Sequence, residues 1–386
     1  METNNEKHDC SQKSEVLSEI KSPKSKRLVS LDALRGFDML WIVGVDHLVR
    51  ASAKCFDWPP LKWLAGQMHH PSWEGFKFYD LIFPMFLFIA GITITLSLPA
   101  KLAAGTPRWK IYVRITRRLV ALVVLGVICN GGLKFAGLEN TRIASVLGLI
   151  GVGYFFAALI VLNFGIKGQV LWFVGILLGY WAALKLIPVP DFGAGVLTAE
   201  GSFATYIDQL YLPGRILRQY DPEGIMPCIS GISMALAGAI TGYWLKRKDR
   251  NEWIKALGLL VAAIVCLIVG KIWGIYLPIV KNMWTGSFVI YAIGWSLLLL
   301  SVFYTIIDVI GFKKWAFGYV VVGMNSITIY LACCMISFGF TSEFLFAGAI
   351  DFAEEPLRPV LSMIGVLLLE WLFLYFLYRK KIFLRV

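Results

Sequence analysis

The segment QMHHPSWEGFKFYDLIFP, which runs from Gln67 to Pro84, concentrates side chains that can move protons. The whole chain has four histidines, and two of them, His69 and His70, are adjacent here. Asp80 follows a few residues later. Imidazole changes its charge near neutral pH, and a carboxylate can hold one ring nitrogen while the other reacts. The segment therefore predicts general base or nucleophilic catalysis by a histidine.

Two other interpretations of these histidines stay open. A histidine at a membrane edge can simply form interfacial hydrogen bonds. A zinc site is the second alternative, because histidine and aspartate both bind zinc. The spacing matches no ligand motif such as H-E-x-x-H, so we expect no metal. Asp46 and His47, at the end of the preceding apolar segment, belong to the same candidate site.

Composition assigns the chain to the integral membrane proteins. It has 386 residues, of which 58% are hydrophobic and only 16% are charged, and its mean hydropathy is +0.69. A soluble domain carries about 25% charged residues. Apolar runs of about 18 or more residues recur, and each is long enough to cross a hydrocarbon core of about 30 Å. We therefore expect an all-α, polytopic protein embedded in the lipid bilayer.

Ten apolar segments are expected to span the membrane. They lie at about 29–50, 78–99, 112–133, 143–163, 168–187, 223–245, 253–272, 286–309, 315–336 and 358–378. Residues 1–27 are polar and lack the apolar core of a signal peptide, so we expect a disordered cytoplasmic tail there. Residues 28–386 are expected to form a single transmembrane domain.

The distribution of lysine and arginine predicts the orientation. Clusters such as KSPKSKR, KRKDRNE and YRKKIFLRV all fall on one side if there are ten spans. Basic loops face the cytoplasm, so both termini are expected to be cytoplasmic. The net charge of +12 reflects this bias and does not indicate nucleic-acid binding. We expect a multi-pass protein of the inner membrane, with residues 51–77 as its first outward loop.

Several charged residues lie inside the first expected span. Asp32 and Arg35 are three residues apart and share one helix face, and Asp38 lies deeper. Charged groups inside a bilayer are costly and often mark an ion pathway or a site. Pro84 is expected to kink the second span. On the residues alone, a proton-coupled secondary transporter of a small polar or anionic solute therefore stays open as an alternative.

Six separated motifs resemble those of a known family. They are SLDALRGFDMLWIVGVDHL, HHPSWEGFKFYDLIFPMFLFIAG, NTRIASVLGLIGVGYF, DPEGIMPCISGISMALAGAITGYWL, KNMWTGSFVIYA and GMNSITIYL. Over about residues 28–378 the chain resembles the heparan-α-glucosaminide N-acetyltransferase family and its bacterial transmembrane acyltransferase relatives. The resemblance implies transfer of an acetyl group from cytoplasmic acetyl-CoA to an amino-sugar or glycan acceptor on the outward face. Gly148 and Leu149 depart from the family, since many relatives have a polar pair there.

The resemblance also implies catalytic roles for individual residues. His70, in HPSWEG, matches the active histidine of the family motif H-x-S-W-x-G. Asp80 matches the aspartate of the motif D-L-[IV]-F-P, and either Asp80 or Asp46 would orient His70. Asn325, in the G-M-N segment, would stabilise the thioester oxygen as it gains charge.

Substrate binding is expected to use further residues. Trp73 would stack on the sugar ring of the acceptor. Other acceptor contacts are expected from His47, Glu74 and Trp284. Acetyl-CoA, the co-substrate, has an anionic nucleotide that we expect to lie among basic residues on the cytoplasmic side. These are Lys110, Arg114, Arg117 and Arg118, for which positive-inside anchoring is the alternative. The resemblance also leaves room for a homodimer.

Overall fold

A computed structural model describes residues 28–131, 134 and 137–384. This part of the chain is built almost entirely of helices, as the composition predicts. The segment 1–27, expected to be a disordered tail, lies outside the described residues. Two short strands, β1 (Pro188–Val189) and β2 (Gly193–Ala194), pair antiparallel in the loop after the seventh helix.

The helices follow one another along the chain, and several are joined by long loops. In chain order they are α1 Val29–Leu40, α2 Asp46–Cys55, α3 Pro59–Gln67, α4 Ile82–Ala103, α5 Arg108–Cys129, α6 Val146–Asn163, α7 Ile166–Leu186, α8 Phe203–Tyr211, α9 Ile225–Lys246, α10 Glu252–Tyr276, α11 Gly286–Tyr304, α12 Phe317–Met324, α13 Ser326–Met335, α14 Phe338–Phe352 and α15 Arg358–Arg379.

Within the described ranges, seven helical segments are long and apolar enough to cross a membrane. They are Phe78–Ala103, Val146–Asn163, Ile166–Leu186, Ile225–Lys246, Glu252–Tyr276, Gly286–Val309 and Glu355–Arg379. The pair Lys314–Met324 and Ser326–Met335 meets the same criteria together but bends by 60°, which gives eight spans if the pair is one broken span. The polytopic helical fold is confirmed, whereas the expected ten spans are not.

The first expected span, 29–50, is divided in the structure. Helix α1 ends at Leu40, and a wider π-helical turn covers Trp41–Val45 before α2 begins. The backbone of Gly44 is not helical, so the chain bends inside this segment. Each helical piece is therefore too short by itself to cross a hydrocarbon core of about 30 Å.

The third expected span, 112–133, fails the same criteria because of its charge. Helix α5 is 22 residues long and continuous. Any stretch of it long enough to cross the membrane contains Arg114, Arg117 and Arg118. Three arginines in one span are costly in a bilayer unless they reach its edge or a polar cavity.

The packing of α4 against α9 lies at the centre of the bundle. A Cβ atom at Gly91 would lie 2.0 Å from the carbonyl oxygen of Ala235. One at Gly238 would lie 2.0 Å from the carbonyl oxygen of Phe88. Helices in lipid associate through such close contacts of small residues. The two glycines therefore fix α4, whose amino end carries the candidate site.

The expected kink at Pro84 is absent from α4. This proline lies in the first turn of the helix, where its missing N–H would have no intrahelical partner. The helix continues from Ile82 to Ala103 as one segment. The bends of the described chain occur instead at Gly44 and at Asn325.

The outer helices α7 and α10 present apolar side chains away from the bundle. Leu171 and Trp172 on α7 are exposed, as are Ile264, Val265 and Ile268 on α10. In water such faces would be unfavourable, but in a bilayer they contact lipid chains. These faces agree with a protein embedded in a membrane.

Candidate active site

The segment before α4 is held in a fixed loop. The backbone N–H of Gly75 donates to the carbonyl of Ile279 at 2.9 Å. A 3₁₀ turn, Phe78–Asp80, then leads into α4. The backbone N–H of Lys77 donates to Oδ2 of Asp80 at 2.9 Å, and Asp80 is fully buried. The turn therefore fixes the carboxylate of Asp80 at the amino end of the helix.

His70 and Asp80 form a hydrogen-bonded pair in this loop. Nδ1 of His70 lies 2.6 Å from Oδ1 of Asp80. The His70 side chain is 48% exposed and the Asp80 side chain is 0% exposed. When Nδ1–H donates to the carboxylate, Nε2 keeps its lone pair. An imidazole held in this way can accept a proton from a bound substrate or attack it.

Lys281 is the third member of this cluster. Its Nζ lies 3.5 Å from Oδ1 of Asp80 and 3.2 Å from each ring nitrogen of His70. Burial lowers the pKa of Lys281, and the negative charges of Asp80 and Glu223 partly oppose that shift. The ammonium group is thus attracted by carboxylates while it contacts the imidazole.

The loop that carries Lys281 is tied to neighbouring helices. The Tyr180 hydroxyl donates to the carbonyl of Met283 at 2.5 Å, and the Ser230 hydroxyl donates to the carbonyl of Trp284 at 2.6 Å. Trp284 has a positive φ of 50°, so the backbone turns sharply there. Because several elements hold this loop, the position of the Lys281 backbone is fixed before any substrate arrives.

A second charged network lies next to Lys281. The guanidinium of Arg142 binds Asp221 through Nε at 3.1 Å and Nη2 at 2.6 Å, and it binds Glu223 at 2.5 Å. Burial alone would lower the pKa of Arg142, but the two carboxylates outweigh it and raise that pKa. Burial raises the pKa of Glu223, which Arg142 opposes. This network joins the loops before α6 and α9 to the candidate site.

Asp46 and His47 form a second pair of the same type. Nδ1 of His47 lies 2.8 Å from Oδ1 of Asp46, and Nη2 of Arg50 lies 2.5 Å from Oδ2. The hydroxyl of Tyr79 also lies against the Asp46 carboxylate. The ring of Tyr79 contacts the ring of His70, with centroids 5.2 Å apart. The structure therefore brings Asp46 close to the first pair but does not join it to His70.

An open cavity of about 1240 Å³ adjoins the second pair. His47 and His69 both line it, together with basic residues from α2 and α3 and from α15. His69 is exposed in this cavity, whereas its neighbour His70 contacts Asp80 and Lys281. The two adjacent histidines therefore have different surroundings.

The other residues expected to bind the acceptor differ in exposure. Nε1 of Trp73 donates to the carbonyl of Leu197 at 2.7 Å, and its ring packs edge-on against Tyr220 at 5.0 Å. Glu74 is exposed. Trp284 is 0% exposed and lies among other aromatic rings. Trp73 and Glu74 are therefore accessible to a ligand, and Trp284 packs in the core beneath the loop.

Asn325 lies at the bend between α12 and α13 and is 2% exposed. Its Nδ2 donates to the carbonyl of Ile382, in the segment after α15, at 3.1 Å. The structure does not place this amide in the cluster of His70, Asp80 and Lys281. The expectation that it stabilises the thioester oxygen there stays a prediction, and the amide already has a partner.

A second cavity of about 320 Å³ lies between α1, α4, α5, α6 and the bend at Asn325. Arg118 lines it, and the Arg118 guanidinium lies 4.0 Å from the ring centroid of Tyr154. Nε of Arg118 is buried without a hydrogen-bond partner among the described residues. Arg35 also lines the cavity. The cavity therefore combines apolar walls with two guanidinium groups.

The other basic residues expected to bind acetyl-CoA lie on the outside of α5. Arg114 and Arg117 are exposed, and the Lys110 ammonium lies 5.6 Å from the ring centroid of Trp109. Of the four expected basic residues, the structure directs Arg118 alone into the cavity described above. The exposed three agree equally well with anchoring at the membrane surface.

Four charged residues at the site were not predicted from the sequence. Lys281 begins the motif KNMWTGSFVIYA, and Asp221 and Glu223 begin DPEGIMPC. Arg142 lies in NTRIASVL. Each is a charged residue just before an apolar span, and this position could have indicated a role at the site. Their spacing in the sequence gave no sign that they meet, because the segments are far apart along the chain.

Among residues 28–131, 134 and 137–384, no group of three or more His, Cys, Asp and Glu side chains could hold a metal ion. The ionisable side chains of the site instead pair with one another.

The fold and site define a helical membrane protein with a histidine–aspartate pair and a lysine at the partly exposed end of its central helices. Residues 27–169 match a family model described as a domain of unknown function, DUF5009.

Two curated proteins are similar over nearly the whole chain. Heparan-alpha-glucosaminide N-acetyltransferase from Homo sapiens is 28% identical, over 93% of this chain and 60% of that protein. The protein of the same name from Mus musculus is 27% identical, over 95% of this chain and 62% of that protein. The chain spans about three fifths of the length of these relatives. The resemblance seen in the motifs is confirmed, and the chain is a relative of the heparan-alpha-glucosaminide N-acetyltransferases.

Proposed function

We propose that the chain is a membrane-embedded acyltransferase that moves an acetyl group from cytoplasmic acetyl-CoA to the amine of an amino sugar on the outward side. The observation that carries the proposal is the pair of a half-exposed His70 and a fully buried Asp80, 2.6 Å apart. The two relatives are named as glucosaminide N-acetyltransferases, which supports acetyl transfer to an amino sugar.

In this proposal His70 acts as the general base. Its Nε2 accepts a proton from the acceptor amine as the amine nitrogen attacks the thioester carbon. Asp80 holds the ring and stabilises the imidazolium that forms. The C–S bond then breaks, and the imidazolium returns its proton to the sulfur of CoA. An acetyl-histidine intermediate would use the same nitrogen as a nucleophile, so both routes require the Nε2 lone pair to face the substrate.

The donor is proposed to enter through the cavity that Arg118 lines. Acetyl-CoA joins an anionic nucleotide to a long, largely neutral arm, and this cavity joins guanidinium groups to apolar walls. Arg118 has a buried Nε without a partner among the described residues, which makes it available to an anionic ligand. Arg114, Arg117 and Lys110 would attract the nucleotide from the surface of α5.

The acceptor is proposed to approach from the exposed face of His70. Trp73 lies beside Tyr220 near this face, so an aromatic surface is available for a sugar ring. Glu74 and His47 are exposed, and both groups can hydrogen-bond sugar hydroxyls.

A proton-coupled secondary transporter is the second candidate, and Asp38 is the observation that favours it. Asp38 is 0% exposed in the first helix, and neither carboxylate oxygen has a partner among the described residues. The broken helix at Asn325 is also typical of transporters, whose binding sites use interrupted spans. A buried carboxylate can carry a proton through the membrane.

The test is an incubation of purified, reconstituted protein with acetyl-CoA and a panel of amino sugars. We expect acetylated amino sugar and free CoA in equal amounts, measured by mass spectrometry and thiol titration. Hexoses without an amine are the matched controls. If folded protein yields no acetylated product from any amine, the acyltransferase proposal is wrong. Solute counterflow in liposomes without acetyl-CoA would support the transporter.

The orientation has its own test. Cys55, at the end of α2, belongs to the loop that is proposed to face outward. A membrane-impermeant thiol reagent should label Cys55, and also a cysteine engineered within 60–68, in cells with a permeable outer envelope. A cysteine engineered within 246–252 should stay unlabelled. The opposite pattern would place the His70 site on the cytoplasmic side of the inner membrane.

A further inference from the structure

Acetyl transfer creates a negative charge for which the proposed site needs a partner. When an amine attacks a thioester, the carbonyl oxygen becomes an oxyanion, and each hydrogen-bond donor aimed at it contributes about 10²–10³ in kcat. The sequence predicted Asn325 for this role. In the structure the amide of Asn325 donates to the carbonyl of Ile382, outside the cluster of His70, Asp80 and Lys281. The oxyanion therefore needs a donor that lies closer to His70.

Lys281 lies where such a donor is needed. An amine that gives its proton to Nε2 of His70 must sit about 3 Å from that nitrogen. The Nζ of Lys281 is itself 3.2 Å from Nε2. The carbonyl oxygen is bonded to the carbon that the amine attacks, so it lies within reach of the Lys281 ammonium.

Lys281 is held near two carboxylates, which partly offset the burial that lowers its pKa. Its side chain is 17% exposed, its Nζ lies 3.5 Å from Oδ1 of Asp80, and the negative charge of Glu223 also acts on it. The Lys281 loop is fixed through Met283 and Trp284, whose carbonyls accept hydrogen bonds from other helices. A donor that is fixed before the reaction stabilises charge without reorganisation.

We propose that the Lys281 ammonium stabilises the oxyanion of the acetyl transfer, an inference that rests on the function proposed above. The amine nitrogen forms the new N–C bond, and the carbonyl π electrons move to the oxygen, which accepts a hydrogen bond from Lys281. His70 takes the amine proton. When the carbonyl re-forms, the C–S electron pair leaves with the sulfur, which recovers the proton from His70. Lys281 keeps its own proton throughout.

The test compares Lys281→Met with Lys185→Met, which removes a lysine from the last turn of α7. Met preserves the length of the side chain and removes the charge. We expect Lys281→Met to lower kcat by about 10²–10³-fold with little change in the KM for acetyl-CoA. Lys185→Met should keep the wild-type kcat. Thermal unfolding of both variants controls for folding. A folded Lys281→Met protein that loses less than about a hundredfold in kcat, the smallest effect expected of such a donor, would overturn the inference.

A double variant separates a direct role from one that acts through Asp80. If Lys281 only positions Asp80, then Asp80→Asn/Lys281→Met should be no slower than Asp80→Asn alone. If Lys281 contacts the oxyanion, the double variant should lose at least about tenfold more. A double variant as fast as Asp80→Asn would therefore exclude the direct role.

The alkaline side of the pH–rate profile gives a further readout. His70 and Asp80 face Lys281 from the loop and turn before α4, and Glu223 faces it from the loop before α9. Burial lowers the pKa of Lys281, so activity should fall as the pH rises through this lowered value. Lys281→Arg should keep part of the activity and move this fall to higher pH. An unmoved profile would contradict the inference.

The two proposals fail in different ways. If wild-type protein does not transfer acetyl from acetyl-CoA to any amine, the proposed function is wrong and this inference falls with it. If wild-type protein transfers acetyl and Lys281→Met does so equally well, the function stands and the role of Lys281 alone is wrong.

Discussion

Two histidine–aspartate pairs lie close together in this protein and differ in how they are built. In one, His47 follows Asp46 directly, and the cation on the carboxylate is Arg50 from the same helix. In the other, His70 and Asp80 come from a loop and a helix start, and the cation is Lys281, which is 211 residues away from His70. Both aspartates are almost fully buried, so their burial does not distinguish the pairs.

The difference lies in what each imidazole contacts. Arg50 binds the carboxylate of its pair, and the His47 side chain is 61% exposed beside a wide cavity. Lys281 contacts both the carboxylate and the ring of His70. A histidine–aspartate pair by itself is thus a local motif. A reactive site needs the additional group that only packing can supply.

The largest expected effect distinguishes His70 from His47 and His69. A positioned acid–base group contributes about 10²–10⁴-fold in rate, so His70→Ala should lose at least a hundredfold in turnover. His47→Ala and the neighbouring His69→Ala should lose much less, because neither ring contacts Asp80 or Lys281. Acetyl transfer by the three purified variants is the measurement. Equal losses in His47→Ala and His70→Ala would remove the distinction between the pairs.

Asp80→Asn should lower kcat more than Asp46→Asn does. This difference should be smaller than the one between His70→Ala and His47→Ala. Carboxylates that orient a histidine are worth about 10–100-fold in metal sites, and we expect a similar loss for Asp80→Asn. Asp46→Asn should lower kcat by less than about tenfold, the lower limit of that range. Asp46 orients a histidine that lies outside the cluster. The kcat of each variant tests this. A greater loss in Asp46→Asn would make the His47 pair the more important one.

The variant Arg118→Ala, on α5, should weaken donor binding without affecting either histidine–aspartate pair. If Arg118 holds an anionic part of the donor, Arg118→Ala should weaken acetyl-CoA binding by about tenfold, the effect of one charged hydrogen bond. It should leave the kcat of bound donor nearly unchanged. Arg250→Ala removes an exposed arginine from the loop before α10, for which no donor contact is proposed, and serves as the matched control. Isothermal titration with acetyl-CoA measures both, and unchanged affinity in Arg118→Ala would reduce this residue to a membrane anchor.

The smallest effect concerns a carboxylate that caps a helix. Asp208 on α8 accepts a hydrogen bond from the N–H of Ile225, the first residue of α9, at 2.7 Å. Burial raises its pKa from 3.8 to about 7. The folded protein therefore holds this proton more tightly than the unfolded chain, and the contribution of Asp208 to stability falls as the pH rises between these values.

Thermal unfolding of the solubilised protein at pH 5 and pH 8 tests this contribution. The first pH lies between the ordinary pKa of 3.8 and the raised pKa of about 7, and the second lies above both. The decrease in Tm from the lower to the higher pH should be smaller in Asp208→Asn than in wild type. The same decrease in both proteins would show that other groups cause it. Because the charge of Asp221 acts on Asp208, the result also shows how a carboxylate without a histidine partner behaves near the Arg142 network.

Much of the architecture could be predicted because it is encoded locally. Long apolar runs require helices in a bilayer, since lipid offers the backbone no hydrogen-bond partners. Seven of the expected spans and the broken pair at 315–336 followed from this rule. The rule failed at 29–50, where the backbone of Gly44 leaves the helix, and at 112–133, where three arginines interrupt the apolar run.

The site was predictable to the extent that its parts are close in sequence. His70 and Asp80 lie ten positions apart in one motif, and their pairing follows from the turn between them. Trp73 was expected to bind the acceptor, and in the structure it is half-buried beside Tyr220. Trp284 was expected at the site as well, but the fold buries it, because the backbone turns sharply at this residue and directs its ring into the core.

The sequence by itself determined the helical membrane class, the histidine–aspartate pair and the relationship to N-acetyltransferases. Only the tertiary structure decided that Lys281 contacts this pair, that Arg142 joins Asp221 to Glu223, and that Arg118 lines a cavity. The physical reason is the range of the interactions. Helix formation and capping act between residues a few positions apart, whereas a contact between loops is set by how the helices pack.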